Sequence, residues 1–470
     1  MSATAIPLDL TRLRAAYGKD LSPSIVVTRI LDDIEVRGDD GVWISPVPRD
    51  ALIARARTLE ALSVELRSGL PLWGVPFSVK DCIDAEGMPT TSACPAFAYA
   101  PERSNLAVER LLAAGAILVG KTNMDQFATG LNGTRSPYGI ATNPFDPAYI
   151  PGGSSSGAAV SVAAGMVSFA LGTDTGGSGR VPAAFNNVVG LKPTRGRLSG
   201  LGTVPACRSI ETISVFALTA PDAQQVLDIA EAFDPLDPFA RHAGDEHSIP
   251  PAFRFGVPNE LEFFGDEDSR ALFAAGVDAV VALGGVAHPV DYTPFHELND
   301  LLFSGPWLAE RYGALAGFLE GSPDGALLLT RDILLGGQRF TGAEVFAAQR
   351  RLLELQRQVA GIWRDIDVFV VPTTPTIYRV EEMLADPLVL NARLGTYTNF
   401  VNFADFAAVA TPNGFLPSGL PQGITLLGPA WSERALTGLA DRFQRHRGSP
   451  LGATGFAPPE HVAPLTREIA

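Results

Sequence analysis

The stretch GAAVSVAAGMVSFALG (157–172) carries no charged side chain, and two serine-bearing glycine loops frame it, PGGSSSG (151–157) and GTDTGGSG (172–179). It reads as a helix of small residues running into a strand that is apolar throughout. A strand apolar on both faces must be covered on both faces. The chain is therefore restricted to an α/β architecture in which helices sandwich a sheet.

Neighbouring segments repeat the pattern. NLAVERLLAAGAILVGKTNMD is a helix, a stop at Gly115 and a buried strand. GVPFSVKD (74–81) is a β-branched run that ends near Lys80, and DVFVVPTTP (367–375) and QGITLLGP (422–429) are further strands. Residues 8–67 read as mostly helical, with RDALIARARTLEALSVELRSG as one helix capped at Gly69. GAEVFAAQRRLLELQRQVAGIWRDI is a long amphipathic helix, and SERALTGLADRFQRHRG is the last, with Ser432 as its N-cap. The Pro-rich, acidic segment 232–252 is a surface crossing. The expected organisation is an N-terminal helical segment (1–67) packed on one continuous catalytic unit (68–470).

Composition narrows the function. A net charge of −15 in 470 residues argues against a nucleic-acid groove or an anionic membrane surface, which reward clustered Lys and Arg. The longest apolar runs are too short to span a bilayer, and the N-terminus lacks the apolar region of a signal peptide. Cys82, Cys94 and Cys207 have no metal or disulfide spacing, which suits reduced thiols in the cytoplasm.

The serines of the first loop admit several readings. A plain Gly/Ser turn opening a helix is the simplest. A phosphate cradle needs a lysine and a hydroxyl where Ala158 and Ala159 stand. A nucleophile elbow matches G-x-S-x-G, but it needs a strand just before it, and NPFDPAYIPG holds Pro144, Pro147 and Pro151. The fourth reading uses the second loop. Gly176, Gly177 and Ser178 follow a strand directly, where backbone N–H groups can converge beside a hydroxyl. No histidine is near in sequence to activate it, so a lysine is the next base, and Lys80 also ends a strand.

With those three motifs together, the sequence resembles the amidase signature hydrolases from about residue 50 to 447. Ser154 and Ser178 are 24 residues apart, the spacing that family uses. The resemblance implies a large mixed β-sheet covered by helices on both faces, with N-terminal helices. It implies Ser178 as nucleophile, Ser154 as a bridging serine after a cis peptide, and Lys80 as terminal base. Thr175, Gly176, Gly177 and Ser178 itself would supply oxyanion N–H groups. A lysine acts as base only when neutral, and burial away from carboxylates lowers its pKa. Asp81 is adjacent but points to the opposite face of the strand. Asp174 and Arg180 are expected to brace the loop as an ion pair. No cofactor and no metal are implied, and the expected assembly is a homodimer acting on a small molecule, without nucleic acid or membrane.

GPWLAERY (305–312), GTRSPYG (133–139) and the segment 186–217 resemble the allophanate hydrolase branch of that family. There Arg311 would hold the substrate carboxylate, with Gly130 and position 303 beside it. The branch usually has tyrosine at that last position, and here it is Phe303. Many of its members carry a C-terminal domain that helps release carbon dioxide. Nothing after residue 450 could form one, so the chain is expected to be either an amidase-only form or a truncated one. Other possibilities are an amidase for another ureido or guanidino compound such as biuret or guanylurea, and the amidase component of a transamidosome.

Overall fold

The computed structural model describes residues 6–460 except 18, 304 and 323, with Phe303 described in its backbone alone. Among these residues, eleven strands form one mixed sheet. In chain order they are β1 (Trp43–Pro46), β2 (Pro76–Lys80), β3 (Ile117–Thr122), β4 (Phe169–Asp174), β5 (Val189–Lys192), β6 (Thr212–Ala217), β7 (Phe253–Pro258), β8 (Gly285–Val290), β9 (Val368–Pro372), β10 (Phe406–Phe415) and β11 (Pro421–Pro429). They lie side by side as β1-β3-β2-β4-β6-β5-β10-β11-β9-β7-β8. β2 runs parallel to both β3 and β4, and β7 runs parallel to β8 and β9. The centre, from β4 through β9, is antiparallel.

Every residue of β2, β4, β5, β6 and β9 is buried, as two-sided coverage requires. Phe77 of β2 stacks on Phe169 of β4 at 5.1 Å between ring centroids, which ties the two site-bearing strands together. The outer strand β8 leaves Val286 and Ala287 exposed.

The small-residue segment does form a helix, Ser156–Ala163, and all of it is buried. Its composition follows from crowding. A Cβ on Gly157 would sit 2.7 Å from the backbone nitrogen of Asn123, so any larger residue would push the helix off the sheet. Asn105 caps the helix Leu106–Ala113, whose end leads through Gly115 into β3. Thr341 and Glu344 form a capping box that starts the long amphipathic helix Gly342–Ala360.

Some expectations change. The helical reading of 8–67 leaves out β1, which pairs antiparallel with β3 and extends the sheet by one strand. The stretch 49–69 is not one helix. Arg49–Glu60 ends, and a short second helix, Val64–Ser68, begins because the Ser63 side chain accepts from Leu66 N. Gly69 does follow it, with right-handed backbone. Ser432 stands at the N-cap of Glu433–Arg447, but its hydroxyl donates to Pro429 O rather than capping the helix.

Candidate active site

β2 and β4 run in the same direction, so Lys80 and Asp174, the last residue of each, emerge at the same edge of the sheet. That edge is where α/β sheets gather their chemistry. The loop 175–180 follows β4 at once. The loop 151–155 leads into the buried helix, which packs on β2 and β4.

These elements bring the three expected residues into contact. Lys80 Nζ donates to Ser154 Oγ at 2.7 Å, and Ser154 Oγ donates to Ser178 Oγ at 2.9 Å. Lys80 and Ser154 are fully buried, while Ser178 is 4% exposed and is the member nearest solvent. The peptide between Gly153 and Ser154 is cis. Of the three consecutive serines, only Ser154 reaches both partners. Ser155 Oγ donates to Thr173 O, and Ser156 Oγ to Asn123 O.

The surroundings of Lys80 suit a base. Burial pushes its pKa below the ordinary lysine value, against the opposing pull of Cys82, Glu211, Asp125 and Asp174. None of these carboxylates forms an ion pair with it among the described residues. Asp81 turns away as expected and pairs with the buried Lys121 at 3.5 Å, while also accepting from Thr91 and Ala93. The rate of hydrolysis should therefore rise with pH as Lys80 loses its proton, and the rise should come at lower pH than for an ordinary lysine. A pH profile of kcat/KM that falls from acid to neutral would contradict this.

Sequence reasoning missed Thr173, whose hydroxyl accepts a second bond from Lys80 Nζ at 2.8 Å. With one N–H held by Thr173, the lysine side chain is fixed against Ser154. Thr173 precedes the expected loop residues by a few positions, but an isolated threonine in a strand carries no distinguishing signal.

The nucleophile loop is tied by one carboxylate. Asp174 takes Arg180 in a two-point ion pair, Nε to Oδ2 at 2.8 Å and Nη2 to Oδ1 at 2.9 Å, with both side chains fully buried. Burial works to raise the Asp174 pKa, but the charge and hydrogen bonds of Arg180 outweigh it and hold the carboxyl below its usual value. The same carboxylate accepts from Gly177 N at 2.9 Å and Gly179 N at 3.0 Å. This corrects the oxyanion reading, since the Gly177 N–H is already engaged. The N–H groups of Thr175, Gly176 and Ser178 have no hydrogen-bond partner among the described residues. Gly177 has φ 137°, and a Cβ there would lie 2.8 Å from Thr398 Cβ, so its contribution is backbone shape. Thr175 donates its hydroxyl to Glu211 at 2.8 Å.

Arg311, on the helix Trp307–Gly321, is 4% exposed and donates from Nη2 to Thr129 Oγ1 at 2.7 Å. Its buried Nε has no partner, and no carboxylate pairs with it among the described residues. Thr129 lies on the loop that carries Asp125, whose backbone N–H donates to Ser154 O at 3.0 Å. The arginine is thus joined to the serines through a single loop. Gly130 packs on Asp125, where a Cβ would meet Oδ2 at 2.7 Å. Phe303 closes the helix Thr293–Phe303, and its side chain lies outside the described residues. Among the described residues, no group of three His, Cys, Asp or Glu is placed to hold a metal ion. The three cysteines are buried free thiols.

Known proteins carry the same architecture. The chain is 42% identical over 426 residues to urea amidolyase of Saccharomyces cerevisiae, a match that takes in 88% of this chain but 23% of that protein. The chain therefore spans about a quarter of that relative. A solved structure of allophanate hydrolase from Kluyveromyces lactis is similar with a TM-score of 0.90 and 38% identity, covering 97% of this chain and 78% of the other. A component of the glutamyl-tRNA(Gln) amidotransferase of Acidobacterium capsulatum is 33% identical, over 90% of this chain and 96% of its own length. The family model for amidases matches residues 26–437. That span runs from the N-terminal helices to the last helix and takes in Lys80, Ser154 and Ser178, so the chain belongs to the amidase signature family of C–N hydrolases.

Proposed function

We propose that this amide hydrolase acts on allophanate, a urea carrying one carboxylate, and that Ser178, Ser154 and Lys80 perform the cleavage. The observation that carries the substrate is Arg311. A buried guanidinium that has no carboxylate partner and no partner at Nε among the described residues is costly unless a ligand completes it. One planar carboxylate matches its fork. The likeness to allophanate hydrolase supports the same choice.

Ser178 Oγ attacks the amide carbonyl while its proton passes to Ser154 Oγ. The Ser154 proton moves in turn to neutral Lys80 Nζ. The N–H groups of Gly176 and Ser178, with Thr175, receive the oxyanion. As the tetrahedral intermediate collapses, the proton returns from Lys80 through Ser154 to the departing nitrogen, and ammonia leaves. Water then repeats the sequence on the acyl-enzyme, freeing Ser178 and a dicarboxylate that goes on to lose carbon dioxide.

A cationic guanylurea would face Arg311 with like charge, and biuret would leave it unpaired. The transamidosome reading, supported by the amidotransferase relatives, requires partners. A screen of ammonia release by the purified chain over allophanate, biuret, malonamate, guanylurea and simple amides separates these. Allophanate should give the highest kcat/KM. Equal or higher rates on the neutral amides would sink the assignment, and no release from any substrate would favour the transamidosome reading. The proposal also includes a cytoplasmic setting, consistent with the free thiols, and a homodimer, which light scattering checks.

A further inference from the structure

Two buried arginines meet at one threonine. Arg311 Nη2 donates to Thr129 Oγ1 at 2.7 Å, and Arg135 Nη1 donates to the carbonyl of the same residue at 2.8 Å. Arg135 is 6% exposed and, like Arg311, has a buried Nε without a partner among the described residues. Its remaining bonds go to the protein, Nη2 to Pro387 O and its backbone N–H to Asp125 Oδ1. Burial lowers the Arg135 pKa, Asp125 opposes this, and the charge of Arg311 lowers it further. The charge of Arg311 thus acts against that of Arg135 in a poorly solvated place, less than Asp125 acts in its favour.

The segment that enters Thr129 is itself fixed. Phe127 and Ala128 both have left-handed backbone, with φ 50° and 52°. Two non-glycine residues in that region persist only where the surroundings determine them. Here the Phe127 ring packs against Phe97 at 5.2 Å and against Phe318 at 5.7 Å. Phe318 belongs to the same helix as Arg311.

We propose that Thr129 is a positioning residue that holds Arg311 ready for a substrate carboxylate, with Arg135 as its anchor. The hydroxyl fixes one guanidinium and the carbonyl the other, so two mutually repelling charges keep a set arrangement before substrate arrives. An entering carboxylate then gains twice: it bonds to Arg311 and it relieves the repulsion from Arg135. The proposal rests on the reading of Arg311 as the carboxylate receptor.

The test uses Thr129→Val, which keeps the shape and removes the acceptor, and Thr129→Ser, which keeps the hydroxyl. With allophanate, Thr129→Val should raise KM by about tenfold, the low end for a hydrogen bond to a charged group. kcat should stay within about twofold, and Thr129→Ser should recover most of the loss in KM. In an Arg311→Gln background the Thr129→Val change should cost less than about twofold more, because the two act as one unit. A large Arg311→Gln loss combined with a full, additive Thr129→Val loss would overturn the positioning role alone. A fall in kcat with KM unchanged, or no recovery in Thr129→Ser, would also overturn it. An Arg311→Gln variant that binds the anion as well as the parent would remove the carboxylate reading and this inference together.

Discussion

Ser178→Ala is expected to lower kcat by about 10,000-fold or more, because loss of a nucleophile removes the covalent route and not one contact among many. The fold should survive. Ser178 sits at the edge of the trio, and its removal leaves Lys80 with both of its acceptors, Ser154 and Thr173. Ser154 loses only its own 2.9 Å acceptor, which water can replace. Arg311 is untouched, so allophanate should still bind to the variant. Ammonia release measures the first effect, thermal melting the second, and calorimetric titration the third. A variant retaining more than about a tenth of the parental rate would exclude Ser178 as nucleophile.

Arg311→Gln should lower kcat/KM for allophanate by about 2–4 kcal/mol, or about 30- to 1,000-fold, the range for breaking a desolvated charge pair. For a small neutral amide the loss should be slight, and the rate can even rise, because an unpaired buried cation has been removed. The contrast between the two substrates is what carries the prediction. Glutamine keeps a donor for Thr129 but not the charge or the fork. Equal losses on charged and neutral substrates would mean that Arg311 supports the fold, and the allophanate assignment would lose its physical basis.

The elements that position the triad are legible in the sequence because their signals agree at several levels. β9 is β-branched and apolar, β2 is a short buried run ending at Lys80, and β4 follows an uncharged small-residue helix between two glycine loops. β10, FAAVATPNGF, is not legible, although it is the longest strand described and lies between β5 and β11. Its alanines, proline and glycine are weak strand formers, and the pairing slips between Pro412 and Gly414. Tertiary pairing on both sides overrides that weakness. β1 is too short to show a period. The Lys80–Ser154–Ser178 contact is foreseeable because three motifs mark it. Thr129 and Thr173 are not, since their importance lies in what they touch and neither has a motif of its own.

A glycine-rich loop is ordinarily among the least costly parts of a protein to open, yet the loop from Asp174 to Arg180 is not free to do so. Its Gly177 and Gly179 amides end on a buried carboxylate that is itself paired with a buried guanidinium, and Asn402 holds the carbonyls of Asp174 and Thr175 at 2.8 Å from another part of the chain. Releasing Ser178 from its place means breaking that set together and exposing the centre of the sheet. The nucleophile therefore shares one cooperative unit with the core. Loosening the loop thus draws on the same bonds that hold the end of β4 in the sheet, and the placement of the nucleophile is tied to the stability of that strand.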